Sequence, residues 1–109
     1  MSPSADPSPV IILTTLAAAT DASAFARMLV DERLAACVNV LPVMMSVYRW
    51  KGEVELEAEQ QLVIKTTSDR VEAIQARFNE LHPYELPEFI VLGASASAAY
   101  QRWLGESVT

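Results

Sequence analysis

Three side chains of this sequence have the chemistry to hold a metal ion together: the thiol of Cys37, the imidazole of His82 and the carboxylate of Glu85. A thiolate is a soft donor suited to copper, above all as Cu(I), when an imidazole or a second sulfur joins it. Cys37 and His82 are the only cysteine and the only histidine, and neither belongs to a Cys-x-x-Cys or His-x-x-x-His spacing. Each has a plainer alternative. Cys37 can be a small hydrophobe packed beneath a helix. His82 can bond the last carbonyls of a helix and complement its dipole. Pro83 and Pro87 stiffen the connection carrying Tyr84, Glu85 and Glu88, which holds these groups in a defined geometry. A carboxylate pair beside His82 suits a hard or borderline cation. It equally suits backbone amides or arginines of a neighbouring chain.

The row Glu53, Glu55, Glu57 and Glu59 alternates along one strand face and could attract cations. Such a row is more simply a solvated face that blunts edge pairing. Met44 and Met45 are adjacent and must point to opposite faces, so packing explains them better than a shared metal. Tyr48 and Trp50, two apart, face the same way and suit interface anchors. No catalytic constellation is recognisable: no acid or amide is placed to orient His82 as a base for Cys37, and no glycine-rich phosphate loop exists. The expectation is a binding protein that requires no cofactor, with copper or another divalent cation as its ligand.

The elements that position these residues centre on Ala36 to Thr67, which reads as two long strands joined by a turn at Lys51-Gly52. Val54, Leu56, Ala58, Leu62 and Ile64 share one face, interrupted only by Gln60, and this period of two marks a buried side. An arm of about 14 residues spans roughly 45 Å at strand rise. A compact domain of this size is roughly 35 Å across. The hairpin therefore outruns its own domain, and its apolar far end, with Met44, Met45, Val47, Tyr48 and Trp50, needs cover from other copies of the chain. Pro42 within the first arm marks an edge or a bulge.

Around the hairpin, Met1 to Pro9 is a proline- and serine-rich leader expected to be disordered, and residues 10–109 form a single domain. Val10 to Leu13 reads as a central strand. Thr20 or Asp21 caps a helix whose apolar side is Ala22, Phe25, Ala26, Leu29 and Val30. Ser68 or Asp69 caps a second helix with Val71, Ile74, Phe78 and Leu81 inward, and His82-Pro83 stops it. Phe89 to Leu92 is a fourth strand, and Ser97 to Leu104 forms a short closing helix. The order β-α-β-β-α-β with helices on one face of an antiparallel sheet predicts an α+β, ferredoxin-like sandwich with an extended hairpin between its second and third strands.

At 109 residues and 51% hydrophobic, the chain has a real core and room for one domain. A net charge of -6 argues against nucleic acid and anionic membrane as partners, since both need a basic surface. No apolar run is long enough to span a membrane. The absence of a basic, apolar signal at the start and the single cysteine suggest the cytoplasm.

Three segments together resemble the CutA divalent-cation-tolerance family. They are Glu32 to Asn39; Ser46, Tyr48, Trp50 and Gly52 with Lys65-Thr66; and His82-Pro83-Tyr84-Glu85 with Pro87-Glu88 and the Tyr100 and Trp103 pair. The resemblance covers about Val10 to Leu104 and departs at Leu92 to Ser95, where the family pattern has a proline. It implies a ferredoxin-like homotrimer whose hairpins extend over neighbouring subunits, linked to tolerance of copper and other divalent ions. Met44, Val47, Tyr48, Trp50, Tyr84 and Trp103 are the expected interface residues. Two alternatives stand beside metal tolerance. One is a trimeric signalling or small-ligand module with clefts lined by Trp50, Lys65, Tyr84 and Glu85. The other is a structural assembly protein.

Overall fold

The computed structural model describes residues 7–81 and 84–109, so most of the leader and the His82-Pro83 stop lie outside the described residues. Its elements run β1 (Pro9–Ala17), α1 (Ala22–Asp31), β2 (Cys37–Val40), β3 (Met44–Trp50), β4 (Glu53–Thr67), α2 (Val71–Leu81), β5 (Ile90–Gly93) and α3 (Ala98–Ser107). The strands form one antiparallel sheet in the order β2-β4-β1-β5, with β3 continuing along β4. This is the predicted ferredoxin-like arrangement, with β4 and β1 at the centre. β1 begins at Pro9 and is longer than the apolar run Val10 to Leu13. Its start is tied down by Ser8, whose N–H donates to Ser68 Oγ at 3.1 Å and whose carbonyl accepts from Ser68 N–H at 2.8 Å.

The first hairpin arm is two strands, and the register shows why. Val40 faces Leu62 while Met44 faces Glu59, so Leu41, Pro42 and Val43 stand opposite only Gln60 and Gln61. One extra residue makes a bulge at the position Pro42 marked. The arm resumes in register to the tip, where Lys51 and Gly52 have φ of 51° and 83° and close a two-residue turn. Positive φ at both residues gives the turn a twist that matches the strands it joins.

α1 and α2 cover one face of the sheet. Ile12, Leu16, Leu62 and Ile64 from the strands meet Ala22, Leu29, Ile74 and Phe78 in one buried cluster. Phe78 stands edge-on to Phe25 at 5.6 Å and tilted to Phe89 at 6.0 Å. α3 packs at the sheet's end through Leu104 and Val108 against Ala36.

Two expectations about the helices need correction. Val30 and Leu81 are exposed, because both stand in the final turn of their helices, beyond the part the sheet seals. Asp21 caps α1 by accepting from Ala24 N–H at 3.0 Å, but neither Ser68 nor Asp69 caps α2. Instead residues 68–70 wind into a 3-10 turn that runs straight into the helix.

The hairpin does outrun the body. The molecule measures 49 × 30 × 25 Å, and its radius of gyration of 15.1 Å exceeds the ~13 Å of a compact domain this long. Along the apolar face of β4, Leu62 and Ile64 are sealed by the helices while Val54, Leu56 and Ala58 are bare. Among the described residues no helix is long and apolar enough to cross a membrane.

Candidate functional site

Strand alternation and the two-residue turn put specific residues together on the other face of the hairpin. Opposite residues of an antiparallel pair share a face. Trp50 faces Glu53, Tyr48 faces Glu55, Ser46 faces Glu57 and Met44 faces Glu59, so the acidic row and the aromatic pair stand side by side. The segment from Tyr84 to Glu88, between α2 and β5, then lies over this surface and makes it concave. The resulting groove has a volume of about 540 Å³.

The covering segment is held at several points. Tyr84 OH donates to Glu59 Oε2 at 2.9 Å. Gln61 Nε2 donates to Glu88 Oε2 at 2.9 Å, and Thr14 Oγ1 donates to the Glu88 carbonyl at 2.6 Å. Near the tip, Lys51 Nζ lies 3.4 Å from Glu85 Oε2 and 5.6 Å from the centre of the Trp50 ring.

These contacts change the reading of the acidic row. It is not simply a solvated face: Glu59 is only 7% exposed, beneath Tyr84, whereas Glu53 and Glu57 are open. Among the described residues, every charged side chain lining the groove is a glutamate: Glu55, Glu57, Glu59, Glu85 and Glu88. The field inside favours cations.

The tyrosines register that field. A hydrogen bond to Glu57, with burial and the neighbouring carboxylates adding, pushes Tyr48 up to about 12. Tyr84 is raised beyond the usual phenol range by burial first and by its bond to Glu59 second. A phenol whose folded value exceeds its unfolded value of about 10 keeps its proton longer in the folded state, so stability declines as pH rises above about 10. In Tyr84→Phe, unfolding followed between pH 9 and 12 should show a shallower decline than the parent. An identical slope would mean that the folded state does not hold the Tyr84 proton more tightly than the unfolded chain does.

Of the sequence-derived ligands, Cys37 and Glu85 do not meet within one chain. Cys37 is half-buried in β2 opposite Lys65, while Glu85 pairs with Lys51 at the hairpin turn. Some 12 residues of β4 separate those points, about 40 Å at strand rise. His82 lies outside the described residues. Among the described residues no three cysteine, histidine or acidic side chains are grouped to hold a metal ion. Of the alternative cleft set, Trp50, Tyr84 and Glu85 line the groove together, and Lys65 stands at the far end beside Cys37. Glu57 and Glu59 are the groove residues the sequence reading undervalued. Their signal was the two-residue turn, which fixes the register that aligns them with Tyr48.

The chain matches, over residues 10–107, a family described as CutA1 divalent ion tolerance protein. It is 41% identical over 98 residues to the divalent-cation tolerance protein CutA of Thermus thermophilus, spanning 89% of this chain and 95% of that one. With the corresponding protein of Pectobacterium atrosepticum it shares 37% identity over 91% of each chain. The solved structure of the Thermus thermophilus divalent cation tolerance protein superposes with a TM-score of 0.87 at 39% identity, covering 93% of this chain and 99% of that one. A structure described as a PII-like protein CutA from a Nostoc species, in apo form, gives 0.84 at 38% identity, covering 92% and 97%.

Proposed function

The chain belongs to the CutA1 divalent ion tolerance family, and we propose that it serves tolerance of divalent cations as a cytoplasmic homotrimer that binds copper or other divalent ions weakly. The observation that carries this reading is the hairpin itself. It leaves an apolar face uncovered within one chain, and it separates Cys37 from Glu85 by its whole length. Three copies that wrap their hairpins over one another cover that face. They also give Cys37 of one chain access to Glu85 of another, which a lone chain does not offer, with His82 as the third ligand. Soft Cys37 and borderline His82 favour copper over magnesium or calcium. The function is binding, with no reaction catalysed.

Titration of the reduced, full-length protein with copper tests the ligand set. Cys37→Ala and His82→Ala should each weaken binding by about tenfold, the equivalent of losing about 1.4 kcal/mol. Glu85→Gln should have a smaller effect, because a carboxylate is the hardest of the three donors. Affinity unchanged in both the Cys37 and His82 variants would reject the assignment.

A second reading has its own observation. Trp50, Tyr84 and Glu85 converge on one groove of the size that small ligands occupy, which supports a ligand-binding module with sites in clefts completed by neighbouring chains.

A further inference from the structure

We infer that the groove between the hairpin and the Tyr84 to Glu88 segment takes an organic polycation, a linear polyamine, in preference to a bare metal ion. The inference rests on the second reading above and gives its ligand a chemical class.

The walls set the class. Among the described residues, five glutamates and no basic side chain line the groove, and three aromatic rings, Tyr48, Trp50 and Tyr84, stand among them. Carboxylates beside exposed ring faces are the surroundings in which ammonium groups are held, by charge-assisted hydrogen bonds and by attraction to the ring quadrupole. The protein already shows such an arrangement. The Lys51 ammonium lies 5.6 Å from the Trp50 ring centre and 3.4 Å from Glu85, so the chain's own alkylammonium is held by two residues that line the groove.

Deeper in, Glu59 is almost wholly buried yet is met by a neutral phenol, and among the described residues no basic side chain pairs with it. A buried carboxylate facing a cavity without a cation is an unfavourable arrangement that a bound cation relieves.

Spacing favours an extended cation over a point charge. Alternate residues on one strand face lie about 6.7 Å apart, whereas a divalent ion draws its oxygen ligands to about 2.0–2.6 Å. Gathering Glu55, Glu57 and Glu59 onto one ion would force three like charges together. A chain of ammonium groups joined by short methylene spacers meets them one at a time, and its methylenes lie against the ring faces that share the lining.

Calorimetric titration of the full-length protein with spermidine at low ionic strength tests this, with putrescine and magnesium chloride as comparisons. Spermidine should bind saturably and more tightly than putrescine, and magnesium at equal charge should not displace it. Glu59→Gln and the exposed Glu57→Gln should each weaken binding by about tenfold, the worth of one charge-assisted contact. Lys51→Met, which frees Glu85 and the Trp50 ring, should strengthen it. Glu72→Gln, on α2 away from the groove, should change nothing. Failure to saturate, displacement by magnesium at equal charge, or an equal loss in Glu72→Gln would overturn the inference. A non-cationic metabolite found in the groove and retained by Glu59→Gln would overturn the ligand class while leaving the cleft reading intact. A groove filled by a neighbour's side chains in the assembly would overturn both.

Discussion

Val47→Glu combined with Leu56→Glu should leave the protein monomeric, with its core fold intact. The two residues face each other across the hairpin, 63% and 64% exposed in the single chain, and Met45 and Val54 beside them are 62% and 57% exposed. Fully burying such a side chain contributes about 1.5–3 kcal/mol, so covering what is bare here contributes roughly 1–2 kcal/mol for each residue. The double substitution removes two of those contributions in every copy. It also places two carboxylates where a neighbour would have to desolvate them unpaired, which costs several kcal/mol more. The hairpin carries these residues far from the helix-covered core, so the far-ultraviolet circular dichroism of each chain should persist. Light scattering after size exclusion reads the outcome. An unchanged oligomeric mass would mean that this face is not what holds copies together.

The second large effect is expected in the core. Phe78→Ala should lower stability by about 3–5 kcal/mol, the range for truncating a buried aromatic residue. Phe78 is 1% exposed and joins three parts of the fold: Phe25 on α1, Phe89 leading into β5, and the strand residues beneath. A hole there is surrounded by elements fixed by other contacts, so little collapse can fill it. Phe78→Leu keeps much of the volume and should lose substantially less. Urea unfolding at one fixed chain concentration measures both, since the stability of an assembly depends on concentration. Equal losses in the two variants would point to a specific role of the ring instead of its volume.

The fold was legible because its signals are local and repeated. The alternation from Val54 to Ile64, the apolar helix stripes and the order of elements all pointed to one ferredoxin-like sheet, and Pro42 marked a real bulge. The limits of helix stripes were not legible, because periodicity names a face without saying where its cover ends. Val30 and Leu81 obey the pattern and stay exposed. The groove was half legible. Tyr84, Glu85 and Trp50 were singled out, and they do converge, whereas Glu59 was read with its row as solvated. Its burial comes from Tyr84, which is 25 residues away in sequence, and strand alternation carries no information about a loop that folds back over a face. Lys65 was grouped with the residues of a cleft between subunits, and within one chain the strand register sets it at the opposite end from them. Cys37 and Glu85 were grouped as candidate ligands, and the length of the hairpin keeps them apart within one subunit.

The most direct test is the mass of the unmodified protein in solution, measured by sedimentation equilibrium from millimolar down to micromolar concentration. One species with the mass of three 12.0 kDa chains should persist across that range. A folded, soluble species of a single 12.0 kDa chain would contradict it, because the bare face of the hairpin would then be stable in water without a neighbour.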